Sequence, residues 1–175
     1  MLGNRATTTN AKDFRAERRL SDLTYSGVYN AESNINKLNE FNQGLLNFKP
    51  LEQSFGPVMK LFGRETDILT LQEDKISYVL QGKNILSDAG GGNVLTAVPE
   101  VLGLQVARIE EFGISHNPES FAQWGPDKFF TDAKRGVALK LTGAGESNDS
   151  LKVISAMGMR PWFRDLFNVA FKTQK

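Results

Sequence analysis

The chain has no cysteine and one histidine, and these shortages exclude several kinds of chemistry. Without cysteine there is no disulfide, no thiolate nucleophile and no cysteine-ligated zinc site. His116 would have to serve any Ser-His-Asp triad, but the run Ser115-His116-Asn117-Pro118 is typical of a capped turn. The sequence therefore favours a non-enzymatic protein, and we expect no cofactor.

An excess of charge of one sign is also missing, because 21 Lys and Arg residues stand against 20 Asp and Glu residues. A protein that binds nucleic acid by neutralising phosphates usually carries a clear basic excess.

No apolar run approaches the roughly twenty residues that a membrane helix needs. Residues 1–19 also lack the apolar centre of a signal peptide. We expect neither a nucleic-acid partner nor a membrane partner.

A pattern of strand, tight polar turn and strand occurs twice in the chain. Residues 67–80 show it first, and residues 127–141 repeat it about sixty positions later. Each copy follows a proline, Pro57 or Pro118, and a short mixed run. A repeat of this kind is typical of β-propeller blades. Closed propellers need at least four blades of roughly forty residues, so 175 residues provide about two blades with open strand edges.

The sequence predicts a mainly β fold of antiparallel, propeller-like sheet units with a short N-terminal helical segment and a C-terminal amphipathic helix. Residues 1–22 form a polar arm, and residues 23–57 an extended segment with a short helix. Residues 58–156 hold the two blade-like units with a glycine-rich, loop-like insertion at 83–101, and residues 157–175 hold the terminal helix.

Local patterns predict the two short N-terminal helices. Residues 11–20 can form one helix with Asn10 as its N-cap. The helical spacing of Ile35, Leu38 and Phe41 predicts another over residues 34–43, ended by Gly44.

The terminal helix carries an aromatic face, because large apolar residues recur at spacings of one, three and four and Pro161 suits its first turn. This face packs either on the chain's own sheets or on another subunit, and the sequence leaves both alternatives open. The triple glycine could also present its backbone to a neighbouring subunit. The candidate interface residues are therefore Trp162, Phe163, Leu166, Phe167, Gly90, Gly91 and Gly92.

Acidic residues near the repeated strands raise the alternative of a metal site, since carboxylates converge at the channel of some propellers. The residues concerned are Glu65, Asp67, Glu73, Asp74, Asp127 and Asp132. Asp at a strand start or hairpin usually makes local hydrogen bonds, so no metal is expected. On this interpretation an Asp132→Asn change keeps most of the turn's hydrogen bonding and leaves function unchanged unless it disturbs folding.

Several motifs in one order resemble a segment of the tail-associated structural, or stabilisation, proteins of crAss-like and related tailed bacteriophages. The resemblance covers about Leu20 to Phe167, and within it the motifs lie at residues 67–80, 78–86, 111–122, 129–136 and 158–165. In that family the segment lies inside a far longer chain, and the family supplies no catalytic residues. The resemblance implies a virion structural protein of the tail or neck, whose partners are other phage structural proteins and copies of itself.

Two further functions remain as alternatives. A carbohydrate-binding or host-recognition module would use exposed aromatic rings such as Trp124 or Tyr78 as stacking platforms. A propeller-type hydrolase fragment is the second alternative, and it rests on fold analogy alone.

Overall fold

The computed structural model describes residues 18–27, 29–41, 47–87, 93–156 and 158–173, with backbone alone at 81–87, 93–100 and Phe171. These residues form a mainly β protein, with a helix at the C-terminal end. The strands are β1 (Asp22–Thr24), β2 (Tyr29–Asn30), β3 (Ile35–Asn36), β4 (Phe48–Pro50), β5 (Val58–Gly63), β6 (Asp67–Gln72), β7 (Ile76–Ser87), β8 (Asn93–Ala107), β9 (Ala122–Trp124), β10 (Asp127–Asp132), β11 (Val137–Thr142) and β12 (Ser150–Val153), and the helix is α1 (Arg160–Thr173).

The chain divides into two compact units, and the first spans residues 1–52. Its described part holds two small antiparallel pairs, β1 with β4 and β2 with β3. Leu51 donates its backbone N–H to the carbonyl oxygen of Ser21 at 3.1 Å, which extends the β1–β4 pair by one bond. Leu23 and Leu51 are buried.

The helix predicted over residues 34–43 does not form in its described part, 34–41. Ile35 and Asn36 lie in β3, and Asn34 has a φ of +54°, which no α-helix accepts. Asparagine side chains cause the difference: Asn30 accepts the backbone N–H groups of Glu32 and Ser33, and Asn36 accepts that of Leu38. Such local bonds compete with the helical ladder. Of the helix predicted over 11–20, residues 18–20 are not helical and residues 11–17 lie outside the described part.

The second unit, residues 53–175, begins with a four-stranded antiparallel sheet in the order β5-β6-β7-β8, which we call the first sheet. The tight turn predicted within residues 67–80 is confirmed and lies at residues 73–75, where Gln72 donates its N–H to the carbonyl of Lys75 at 2.9 Å. The loop-like insertion predicted at 83–101 is wrong where the structure describes it, because β7 and β8 continue through it as a long paired ladder. The Val- and Leu-rich run 94–102 suits such pairing better than a loop. Residues 88–92 lie outside the described part.

A four-stranded antiparallel sheet of the same chain order, β9-β10-β11-β12, follows as the second sheet. The tight turn predicted within residues 127–141 is confirmed and lies at residues 133–136, and Asp132 pairs with Val137 directly across it. Gly136 has a φ of +68°, which glycine accepts without strain. The repeated strand–turn–strand pattern of the sequence therefore corresponds to two sheets that are each built as a meander.

The two sheets share one hydrophobic core, but they contribute opposite faces of the repeat. In the first sheet the members of this hydrophobic core are the odd-numbered Leu69 and Leu71 of β6 with their cross-strand partners Tyr78 and Ile76. In the second sheet the corresponding strand β10 contributes an even-numbered residue, Phe130, opposite Leu139 of β11, beside Val137 and Leu141. Successive repeats thus stack front to back.

Alternation along β10 separates the two phenylalanines that the sequence places side by side. Phe130 is buried in the shared core, whereas Phe129 is half-buried on the other face beneath the Lys140 ammonium group, 5.7 Å from the ring centroid. The described strands do not close into a ring, and among the described residues no helix is long and apolar enough to cross a bilayer.

Candidate functional site

The fully buried carboxylate of Asp132, the last residue of β10, gathers four hydrogen bonds. It accepts the Ser115 hydroxyl at 2.8 Å and the backbone N–H of Gly113 at 3.1 Å. It also accepts the backbone N–H and a guanidinium N–H of Arg135, at 3.1 and 2.9 Å. We call Asp132 together with residues 113–115 the clamp.

The clamp also holds the hairpin of the first sheet. Ser115 donates its backbone N–H to the carbonyl of Glu73 at 3.0 Å, and Ile114 donates to the carbonyl of Gln72 at 3.1 Å. The Lys134 ammonium group reaches both carboxylate oxygens of Asp74 at 2.8 Å, and this hydrogen bond raises the pKa of Lys134. The central hairpins of the two sheets are therefore fixed to each other by backbone and charged contacts.

Residues 115 and 116 do not form a catalytic pair with Asp132. Ser115 bonds to Asp132 directly, while the half-exposed His116 directs its Nε2 atom to the Glu73 carboxylate at 3.5 Å. Ser115 also has a φ of +52°, which the bonds of the clamp hold in place. The segment forms a turn, in which Asn117 donates its backbone N–H to the Ile114 carbonyl at 3.3 Å, but the predicted cap is wrong because the Asn117 side chain makes no capping hydrogen bond.

A buried ion network lies at the opposite end of β6. The Arg64 guanidinium contacts the Asp67 carboxylate at 2.6 Å and the Asp149 carboxylate at 2.5 Å, and all three side chains are almost fully buried. Burial disfavours the charge of Arg64, but hydrogen bonds to Asp149 and Asp67 outweigh it and raise the pKa of the guanidinium. Asp149 comes from the loop between β11 and β12, so this network joins the two sheets a second time.

A cleft of about 460 Å³ opens beside this network. It is lined by Tyr78, Arg108, Glu110, Glu146 and Asp149, with residues 106, 107 and 109 completing the wall. Arg108 donates to the Tyr78 hydroxyl at 2.8 Å and pairs with Glu110 at 2.8 Å. Burial raises the pKa of Tyr78 despite this hydrogen bond from Arg108. Tyr78, Arg108 and Glu110 thus satisfy one another, whereas one carboxylate oxygen of Asp149, Oδ1, is buried without a hydrogen-bond partner among the described residues.

Most of the acidic residues considered for a metal site form ion pairs within the fold. Asp67 and Asp132 each pair with an arginine, Asp74 pairs with Lys134, and Asp127 pairs with Lys140 at 2.7 Å. Within the part of the chain that the structure describes, no group of three or more His, Asp or Glu side chains could hold a metal ion.

Helix α1 places the predicted interface residues on two sides. Phe163 and Phe167 are half-buried and stack at 5.8 Å, close to β11. Trp162 and Leu166 stay exposed at 54% and 46%, together with Val169 at 65%. We call Trp162, Leu166 and Val169 the outer stripe. The other predicted interface residues, Gly90, Gly91 and Gly92, lie outside the described residues.

The two aromatic residues proposed as stacking platforms differ in exposure. Trp124, in the edge strand β9, is 80% exposed. Tyr78 is 2% exposed, and the guanidinium carbons of Arg64 and Arg108 lie 5.0 and 6.0 Å from its ring centroid. Tyr78 as an exposed platform is therefore wrong, because its ring belongs to the core.

Sequence reasoning missed the contacts that join distant segments. Asp149 lies in a polar loop 85 positions from Arg64, and nothing in the local pattern indicates that pairing. The spacing of Asp132 and Arg135 across a hairpin could have indicated their ion pair. Val169 could have been found by extending the helical spacing of Trp162 and Leu166.

Comparison of this chain with models of protein families and with curated proteins gives no match.

Proposed function

We propose that this chain is a non-enzymatic structural component of a bacteriophage virion, in the tail, neck or a tail-associated assembly, and that it acts through contacts between subunits. The observation that carries the proposal is the outer stripe of α1. It presents three large apolar side chains, each 46–65% exposed, on one side of a helix whose other side already packs on β11. The apolar residues of this helix form one arc that extends beyond the side packed on β11, and the uncovered part of such an arc is available for burial against another element.

The two four-stranded sheets support the same proposal. They are blade-like in strand order and stack front to back, as successive propeller blades do. The edge strand β9 is fully exposed, and exposed edges are available for pairing with another chain. The bacteriophage setting comes from the resemblance of motifs between residues 67 and 165.

A direct test is the incorporation of variants into particles of the encoding phage. Leu166→Lys places a charge in the outer stripe and should reduce incorporation at least tenfold, while the folded fraction stays unchanged. Asn168→Lys adds the same charge to an exposed position of α1 outside the stripe and should be incorporated normally. If the wild-type chain is absent from purified particles, the proposal is wrong.

A carbohydrate-binding function is the second candidate, and the exposure of Trp124 favours it. An indole face in this position can stack on a sugar ring. A glycan array would show ligands that the wild type and Trp162→Ala bind but Trp124→Ala does not. The absence of any bound glycan, or equal binding by Trp124→Ala, would reject this candidate.

A further inference from the structure

The two sides of α1 differ in what they contact. Toward the second sheet, the Cα atom of Arg164 lies 2.8 Å from the position that a Cβ atom at Gly136 would occupy, so the helix sits against the backbone there. Successive residues of an α-helix are rotated by about 100° around its axis. This rotation puts the outer stripe on the side of the helix opposite Arg164. The exposed fractions of Trp162, Leu166 and Val169 agree with this orientation.

The outer stripe has the spacing of a helix–helix seam. Trp162, Leu166, Val169 and Thr173 follow one another at intervals of four, three and four residues. This is the spacing of the a and d positions in a coiled coil, where each side chain fits between side chains of a facing helix. The natural occupant of the stripe is therefore another helix.

The residues that flank the seam indicate which helix. Asp165 and Lys172 lie seven residues apart on one flank, and both are exposed, with Asp165 also in an exposed ion pair with Arg164 of its own helix at 3.0 Å. Phe163 and Ala170 lie seven residues apart on the other flank. In an antiparallel pair of identical helices, Asp165 of one copy faces Lys172 of the other, and Phe163 faces Ala170. In such a pair, the flank with Asp165 and Lys172 joins opposite charges, and the flank with Phe163 and Ala170 joins a large side chain to a small one.

A parallel pair lacks this match. It would place Asp165 of one helix near Ala170 of the other, where no charge is available. The antiparallel arrangement also sets Leu166 opposite Val169 and Trp162 opposite Thr173. A two-fold contact repeats every one of these pairs, as closed symmetric dimers do.

We infer that α1 is a self-association element, and that a second copy of this chain occupies the outer stripe with its own α1 in antiparallel orientation. The inference deepens the proposed function by naming a partner for the same surface. A helix of 14 residues is about 21 Å long, which gives a contact smaller than a standard protein interface. The expected dimer is accordingly weak, with a dissociation constant between roughly 1 and 100 µM.

Swapping the charges of Asp165 and Lys172 in the full chain tests the antiparallel pairing of α1 in solution. Sedimentation velocity across a concentration series gives the dissociation constant of the wild type. Asp165→Lys and Lys172→Asp should each weaken the dimer about tenfold, because two attractive pairs become repulsive. The Asp165→Lys/Lys172→Asp double variant should restore wild-type affinity. Leu166→Lys should abolish dimerisation, and Asn168→Lys should leave it unchanged.

Tryptophan fluorescence supplies an independent readout of the surface. In a Trp124→Phe background, Trp162 is the sole remaining tryptophan of the chain. Its emission should shift to the blue as concentration rises through the dissociation constant. A wild type that stays monomeric at 300 µM would overturn the inference. So would a dimer that Leu166→Lys leaves intact, or a double variant as weak as the single ones.

The two proposals fail in different experiments. A chain that dimerises through α1 but is absent from particles would contradict the virion function alone. A chain that enters particles but stays monomeric in solution, or dimerises elsewhere, would contradict the antiparallel pair alone.

Discussion

At the scale of single residues, the structure depends on buried charged groups with many partners. Asp132 holds four donors that come from three residues, and Arg64 holds two acids that lie far apart in the chain. Removing one partner of such a set leaves a buried charge without compensation, which is strongly destabilising. These residues thus fix the position of one sheet on the other.

Asp132→Asn should lower the free energy of unfolding by about 2–4 kcal/mol. The asparagine amide has one acceptor oxygen where the carboxylate has two. Its NH₂ group must therefore face two N–H donors, of Gly113 and Arg135, or the hydroxyl of Ser115 and the backbone N–H of Arg135, and it cannot accept hydrogen bonds from them. The variant therefore cannot keep all four hydrogen bonds, whereas the sequence alone predicts that it keeps most of those of the turn. Urea denaturation measures the effect, and Glu119→Gln, at an exposed carboxylate, serves as the control with a change near zero.

Tyr78 should make the protein less stable in alkali. Burial raises the pKa of its hydroxyl in the folded state, so the unfolded chain loses this proton first, near pH 10. Above that pH the folded state binds more protons than the unfolded state, and the free energy of unfolding falls by about 1.4 kcal/mol per pH unit. Below about pH 10 both states keep this proton, and the stability linked to Tyr78 is fully present.

The Tyr78→Phe variant isolates this effect from other groups that titrate in alkali. Urea unfolding between about pH 8 and pH 11 should give a shallower decline for Tyr78→Phe than for the wild type. If the free energy of unfolding falls equally with pH in both proteins, the pKa of the Tyr78 hydroxyl is not raised in the folded protein.

At the scale of elements, the segment between the sheets is as important as the strands. Residues 113–115 cross the first hairpin so closely that Gly113 has no space for a side chain against the carbonyl oxygen and carbon of Glu73. Only glycine fits at position 113, because the backbone there lies directly against the backbone of Glu73.

Gly113→Ala should therefore destabilise the protein by at least about 3 kcal/mol, since backbone on both sides must move. Gly63→Ala is the matched control, because the Cβ position at Gly63 meets no atom within 4 Å. Thermal unfolding of both variants gives the comparison. Equal midpoints would mean that the segment does not lie against the hairpin as described.

Helix α1 shows what a local pattern can and cannot predict. Its spacing indicates the helix and its apolar residues correctly, and Pro161 near its start fits the sequence rule. The pattern does not reveal that Trp162 and Leu166 face away from the sheet while Phe167 is half-buried. A Phe167→Ala change should consequently cost less than the 3–5 kcal/mol typical of a fully packed site.

Other elements show the same limit. The strands and turns of the two meanders follow from alternation and turn residues, which are local. The 34–43 segment has helical spacing, but asparagine bonds to the backbone direct it into turns and β3. The long β7–β8 ladder and the Arg64–Asp149 pair depend on which segments meet in the folded chain, and a local pattern carries no such information.

At the scale of the whole molecule, two stacked sheets with an exposed edge strand and an apolar outer stripe favour association over isolation. A residue-resolution map of particles from the encoding phage tests this central claim most directly. We predict that the map places the chain in the tail or neck, with Trp162, Leu166 and Val169 buried against another subunit. A map in which the chain is absent, or in which the outer stripe faces solvent in every copy, would contradict the account.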